Sequence, residues 1–147
     1  MTESEIIKMI HCDSPKIIQN KGIQLALQKN DLNFIMYYSS DPDYSENCAK
    51  IFTSLRYKEC AKYFDDLFSW IEDPNCIGAD KILEYLTCAP ATFLLDSFKR
   101  ALEAAVKRKN TGMLYSLNLI LSKNSELDIL LKKDDAAQSL LEKSKLI

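Results

Sequence analysis

A chain of 147 residues, 47% of them apolar and 27% charged, can bury a hydrophobic core within one domain. Three glycines and four prolines are too few for the many tight turns of a sandwich or barrel, and a net charge of −2 argues against general nucleic-acid binding. No apolar run reaches the roughly 20 residues that cross a bilayer, and the acidic start lacks the order of a signal peptide. We expect a single cytoplasmic domain over residues 1–147, without a membrane or nucleic-acid partner.

Apolar residues recur at helical spacing from the start of the chain. Thr2 and Glu5 have the spacing of a capping box, and Ser14-Pro15 predicts the start of a second helix. The loop-forming stretch 39–43 follows. The apolar stripe of the second helix is predicted to comprise Ile17, Ile18, Gly22, Leu25 and Ala26.

The strongest apolar stripe in the chain follows that loop. Its members fall at i, i+3, i+4, i+7, i+8 and i+11, which is the pattern of a buried helix face. They are Cys60, Tyr63, Phe64, Leu67, Phe68 and Ile71. Further helical patterns continue to the end, and no segment alternates with period two.

Helix starts near positions 14, 45, 75 and 111 are spaced by the length of a helical hairpin. A hairpin of this size buries its apolar face by stacking on the next one. We predict an all-α, HEAT-like stack of antiparallel helical hairpins with about eight to ten helices. The alternative is an irregular helical bundle.

The stretch from Trp70 to Ala79 is predicted to be the elbow between two helices of such a hairpin. Pro74 ends the first helix near Asp73, because proline donates no backbone hydrogen bond and restricts the residue before it. Asp73 and Asn75 can each cap freed amide groups at the start of the second helix. Gly78 and Ala79 are small enough to let that helix lie close to its neighbour. The predicted structural residues are Trp70, Asp73, Pro74, Asn75, Gly78 and Ala79.

Four runs of sequence resemble a family of small bacterial HEAT-like proteins over residues 14–122. Lys16–Ala26, Glu46–Ile51 and Leu114–Leu117 are similar to parts of its helices, and Trp70–Ala79 is similar to its W-x-x-D-x-N-W-P-G-A elbow. Cys76-Ile77 replaces the W-P pair, so the roles of that pair do not carry over. Many members resemble immunity proteins of polymorphic or contact-dependent growth-inhibition toxin systems. The resemblance implies a protein that binds and neutralises a cognate toxin.

Residues 65–84 carry six carboxylates against the single base Lys81, a local charge of −5. The patch is either a solvated face or a docking surface for a basic partner such as a nuclease toxin. The basic run at 99–109 either neutralises these acids or is solvated. The candidate partner-binding residues are Asp65, Asp66, Glu72, Asp73, Asp80, Glu84 and the aromatic Tyr57.

No arrangement of residues predicts catalysis, a metal or a cofactor. The five cysteines lack a CxxC pair and are expected to be reduced, small hydrophobic residues. The single histidine, His11, precedes Cys12 at a predicted helix end, where neighbouring side chains point apart. We predict an immunity protein and no enzyme; the alternative is a HEAT-like adaptor that binds some other protein.

Overall fold

The computed structural model describes residues 1–147, which form helices joined by short loops and contain no strand. The prediction of an all-α, helical-repeat-like fold is confirmed. None of the helices is both long and apolar enough to cross a lipid bilayer. The helices are α1 (Glu3–Ile10), α2 (Lys16–Ala26), α3 (Asn33–Met36), α4 (Ser45–Thr53), α5 (Tyr57–Cys60), α6 (Phe64–Trp70), α7 (Ala79–Thr87), α8 (Ala91–Arg108), α9 (Thr111–Lys123), α10 (Ser125–Lys132) and α11 (Asp135–Ser144).

The chain divides into two compact units, Met1–Arg56 and Tyr57–Ile147. The prediction of a single domain over residues 1–147 stays a prediction. In the first unit, α1 packs against α2 and α2 packs against α4. The predicted capping box of α1 is present, because the Glu5 amide donates to Thr2 Oγ1 and the Thr2 amide donates to Glu5 Oε2, both at 3.2 Å.

A buried network of polar side chains determines which residues of α2 face the core. Gln19 Nε2 donates to the carbonyl oxygens of Cys12 and Ser14, at 3.0 and 2.6 Å. Its Oε1 accepts from Asn47 Nδ2 at 2.9 Å. Because this side chain must point inward, Ile17 is turned out and remains 81% exposed. The predicted stripe of α2 is therefore wrong for Ile17, Ile18 and Leu25 and right for Gly22 and Ala26; the buried residues are Gln19, Gly22, Ile23 and Ala26.

In the second unit, helices pack as hairpins that form two layers. The pairs α6/α7, α8/α9 and α10/α11 are in contact, α8 packs against both α6 and α10, and α7 packs against α9. The last helix departs from this order because α11 packs against α8. The long helix α8 is thus the centre of the unit, and α7 and α9 together form its second layer.

The strongest apolar stripe lies in the core as predicted. Its six residues, from Cys60 to Ile71, are each at most 3% exposed. The backbone is not one continuous helix, since a 3₁₀ turn at Ala61–Tyr63 separates α5 from α6. Phe68 meets Phe98 of α8 edge to face with 6.2 Å between ring centroids, an arrangement that aromatic rings favour.

The elbow lies between α6 and α7, where it was predicted, but its capping differs. Asp73 Oδ1 accepts the Asn75 amide at 2.9 Å within the turn itself. The N-cap of α7 is Gly78, which makes no side-chain hydrogen bond and has φ of 83°. Trp70 Nε1 donates to the Ile77 carbonyl at 3.0 Å and closes the elbow. The predicted capping of α7 by Asp73 and Asn75 is wrong, and glycine is needed for its left-handed backbone.

Gly78→Ala is expected to lower the free energy of unfolding by about 1–2 kcal/mol, because a Cβ is strained at this φ. Urea denaturation measures the change. Gly78→Asn is the matched comparison, since asparagine tolerates the left-handed region, and it should lose less stability than alanine. An alanine variant as stable as the parent would show that the backbone strain is relieved elsewhere.

The cysteines are all free, but only two behave as predicted. Cys48 and Cys60 are buried, and burial raises the pKa of their thiols to about 12 and about 11. Cys12, Cys76 and Cys88 are exposed. Burial of the kind expected of a small hydrophobic residue is therefore found for two of the five thiols, and the other three lie at the surface.

Candidate protein-binding groove

Two of the predicted partner-binding acids are paired with α8. Arg100 Nη2 and Nε donate to Asp65 Oδ1 at 3.1 and 3.3 Å, and Arg108 Nη1 lies 3.8 Å from Glu72 Oε1. These pairs line a small cleft of about 170 Å³ between α6 and α8. Part of the basic run at 99–109 therefore does neutralise the acidic hairpin.

The environment of Asp65 also favours its charged form. Partial burial raises the pKa of this carboxyl, but hydrogen bonds with Ser97 and Arg100 and the charge of Arg100 outweigh that effect, so its pKa lies below the usual value. Exposed ion pairs of this kind contribute about 0–1 kcal/mol each. Asp65 is thus occupied within the fold and is less available to a partner.

The remaining predicted acids divide into a turn residue and an exposed set. Asp73 accepts the Asn75 amide within the elbow. Asp66, Asp80 and Glu84 are exposed and form no ion pair. Asp80 accepts only the neighbouring Lys81 amide, at 2.9 Å in the first turn of α7.

Asp80 and Glu84 lie on the edge of a groove of about 930 Å³ beside the C-terminal half of α7. The edge carries a third acid, Glu126, and one base, Lys123. Its apolar lining is Leu83, Ala89, Pro90 and Leu119. The groove therefore combines apolar surface with net negative charge.

A second pocket of about 420 Å³ extends this groove along α7 and α9 towards the elbow. The two pockets share Asp80, Leu83 and Leu119. The extension adds Tyr115, which is 57% exposed, and the elbow residue Pro74. We call the combined depression the α7/α9 groove. Of the other elbow residues, Asn75 and Ala79 also line it.

The end of the α7/α9 groove is held by one buried side chain, that of Asn124. Its Nδ2 donates to the carbonyl oxygens of Thr87 and Ala89, both at 3.0 Å, and so satisfies the end of α7. Its Oδ1 accepts the Leu127 amide at 3.0 Å and caps α10. Three hydrogen bonds from one side chain join the α7 end to the α10 start, which preorganises the groove.

Tyr57 lies elsewhere and has an internal role. Its hydroxyl donates to the Tyr85 carbonyl at 3.0 Å, and the two rings are 4.6 Å apart between centroids. Partial burial raises the pKa of the Tyr57 hydroxyl above its usual value. The structure does not place Tyr57 among the residues that line the α7/α9 groove.

Sequence reasoning missed the apolar and α10 parts of the groove. Leu83 has the helical spacing of a core residue but is only half-buried. Leu119 and Tyr115 lie on α9, whose packing against α7 no local pattern reveals, and Glu126 reaches the groove from the start of α10. The tyrosine itself, Tyr115, is a local signal, because tyrosine is favoured in binding hot spots.

Comparison with known proteins finds no match for this chain among family models, curated proteins or solved structures.

Proposed function

We propose that this chain is an immunity protein that binds a cognate protein toxin in the α7/α9 groove and neutralises it by occlusion. The observation that carries the proposal is the pair Asp80 and Glu84, exposed and without a basic partner, beside open apolar surface of Leu83 and Leu119. With Glu126 the rim holds three acids against Lys123. A basic partner suits this surface, and a nuclease toxin has such a surface because it binds phosphates.

Apolar and acidic residues make different contributions to this binding. Each Å² of apolar surface removed from water stabilises the complex by about 25 cal/mol before the costs of association. The unpaired carboxylates accelerate encounter with a basic surface and disfavour acidic partners. Because Asn124 holds the groove rigidly, little ordering is required when the partner binds. The proposal gives the chain no catalytic step.

Co-expression with the product of the neighbouring gene tests the proposed function. We expect a complex that survives purification, and a toxin activity that the full chain abolishes at a one-to-one ratio. A complex with a neighbour that has no toxic activity would favour the HEAT-like adaptor over the immunity protein. Absence of any complex with a toxic neighbour would overturn the proposal.

Reversing the charge of the groove, in the double variant Asp80→Lys and Glu84→Lys, is expected to slow association with the basic partner about tenfold or more at low salt. Stopped-flow association rates at low and high salt measure this change. The loss should shrink at high salt, because mobile ions screen exposed charges.

Glu103→Lys is the control for a charge reversal outside the groove, to be compared with each single variant, Asp80→Lys and Glu84→Lys, since Glu103 is an exposed acid on α8 that does not line the groove. Its association rate should stay close to that of the parent chain. If Glu103→Lys slows association as much as the single variants do, the effect comes from net charge and the groove is not the docking site.

A further inference from the structure

Two loops of the first unit bring three metal-ligand side chains together. His11 and Cys12 lie in the loop after α1, and Asp43 lies in the loop before α4. The Cys12 amide donates to the Asp43 carbonyl at 2.9 Å, which joins the loops through the backbone. One ligand atom from each of the three side chains lies within 4.8 Å of the others. The two loops are 31 residues apart in sequence at this contact.

We propose that His11, Cys12 and Asp43 bind a divalent transition-metal ion of the Zn²⁺ class. A thiolate, an imidazole and a carboxylate are the three side chains with which proteins bind zinc. Such mixed nitrogen and sulfur sets disfavour Mg²⁺ and Ca²⁺, which take oxygen ligands. The site is remote in sequence from the α7/α9 groove, and the proposal does not depend on the proposed function.

The spacing of the ligand atoms is close to that of a tetrahedral site. Metal–ligand bonds of about 2.0–2.3 Å place neighbouring ligand atoms roughly 3.3–3.6 Å apart. Cys12 Sγ lies 3.7 Å from Asp43 Oδ1, and His11 Nε2 lies 3.6 Å from Oδ2, the other oxygen of the same carboxylate. With one atom taken from each residue, the three ligand atoms lie within 4.8 Å of one another, so the site must tighten by about 1 Å when a metal binds. Small rotations of exposed side chains therefore suffice, and water completes the fourth position.

Asp13 is placed to orient the histidine once a metal binds. The Asp13 amide donates to His11 Nδ1 at 3.0 Å, so the neutral ring carries its proton on Nε2, next to Asp43. Metal coordination at Nε2 requires the other tautomer, whose Nδ1–H gives up the hydrogen bond from the Asp13 amide and must find an acceptor. Asp13 Oδ2 is 3.9 Å from Nδ1 and supplies the carboxylate that metal-bound histidines usually contact. Tyr44 packs edge-on against the ring at 5.1 Å and limits its rotation.

The charges around Cys12 favour a cation over a bare thiolate. Asp13 Oδ1 and Asp43 Oδ1 lie 3.8 and 3.7 Å from Cys12 Sγ, so a bare thiolate here would face two negative charges. A bound dication reverses this balance, because the same carboxylates attract it and it stabilises the thiolate. Coordination releases the Cys12 proton and the His11 Nε2 proton moves to Nδ1, so one proton leaves to solvent for each metal bound.

Cobalt and zinc titrations of the full chain test the site. Co²⁺ should bind with one-to-one stoichiometry and produce a thiolate-to-cobalt charge-transfer band, and Zn²⁺ should displace it. Calorimetry in buffers of different ionisation enthalpy should report release of about one proton per Zn²⁺. Zn²⁺ should also raise the unfolding temperature, because a ligand that binds only the folded chain stabilises it.

Variants of the three proposed ligands test which side chains bind the metal ion. Cys12→Ser should abolish the charge-transfer band, and His11→Gln and Asp43→Asn should each weaken Zn²⁺ at least about tenfold. Cys76→Ser is the matched control, since Cys76 is another exposed cysteine beside an aspartate, Asp73, and it should keep the band and the affinity. Circular dichroism checks that each variant is folded.

The proposal is overturned if the band survives in Cys12→Ser, if it disappears in Cys76→Ser, or if folded His11→Gln and Asp43→Asn bind Zn²⁺ as tightly as the parent. It is also overturned if the parent chain takes up several ions with equal weak affinity, because that is adsorption to scattered acids. Failure to co-purify with a toxin leaves these titrations unaffected, so the two proposals fail separately.

Discussion

Replacing Asn124 with alanine is expected to lower the free energy of unfolding by about 3 kcal/mol, roughly 1 from the lost α10 cap and roughly 1 for each carbonyl left without its donor. Those carbonyls belong to Thr87 and Ala89, at the end of α7. Asn124 is only 8% exposed, so water compensates poorly for the lost bonds. Urea denaturation measures the loss, and an unchanged m-value confirms that the same structure unfolds.

Asn110→Ala is the matched control for this prediction. Asn110 caps α9 in the same way, with Oδ1 accepting the Met113 amide at 3.0 Å, but no donation from its side chain to a distant carbonyl is present. Its loss should be about 1 kcal/mol, the value of a cap alone. Equal losses in the two variants would mean that the contacts from Asn124 to the end of α7 add nothing, and the groove would lack its rigid end.

The parts of the fold that depend on local patterns were predictable. The core stripe from Cys60 to Ile71 follows from helical periodicity alone and is buried throughout. The elbow position follows from the chemistry of Pro74. The left-handed backbone of Gly78 was not predictable, because the sequence shows a small residue but not the φ that requires it. The predicted inner face of α2 was partly wrong for a related reason. A long-range hydrogen bond from Asn47 to Gln19 determines how α2 is rotated about its axis, and no local pattern shows that bond.

The candidate site was predictable only in part. The sequence shows which residues are charged, but which charged residues form ion pairs depends on how the helices pack. The sequence left open whether the basic run at 99–109 neutralises the acidic hairpin; in the structure α8 brings Arg100 and Arg108 beside Asp65 and Glu72, 35 and 36 residues earlier in the chain. Asp80 has no basic partner within the fold, and the sequence alone did not distinguish it from the paired acids. The apolar side of the groove needs α7 and α9 to pack together, which no single helix pattern specifies.

The cluster of His11, Cys12 and Asp43 was also not predictable from the sequence, because its residues come together only when two loops meet. Adjacent residues on a helix point apart, which argued against His11 and Cys12 acting together. In the structure the helix has ended, and His11 has an extended backbone with φ of −61° and ψ of 141°. The third ligand, Asp43, comes from a stretch that the sequence identified as a loop without any indication of what it contacts.

The packing of α9 on the elbow leads to the second large stability effect. Gly112, in the first turn of α9, faces the backbone of the elbow so closely that a Cβ there would lie 2.5 Å from the Glu72 carbonyl oxygen. One turn further on, the buried Ser116 Oγ donates to the Ile71 carbonyl at 2.8 Å. The helix that also forms one wall of the α7/α9 groove is therefore bonded to the elbow at the Ile71 carbonyl and approaches it closely at the next carbonyl, that of Glu72.

Gly112→Ala is expected to lower the free energy of unfolding by about 3 kcal/mol, at the upper end of typical overpacking, because the atom it meets is backbone and cannot rotate away. Thr111→Ala is the control: Thr111 is the exposed preceding residue, and its replacement should change stability by less than about 0.5 kcal/mol.

If α9 moves away to accommodate the methyl group, Leu119 and Tyr115 move relative to α7, and partner affinity falls even where the chain stays folded. A Gly112→Ala variant with parental stability and parental affinity would show that the elbow and α9 do not approach each other closely, and the groove would then need another support.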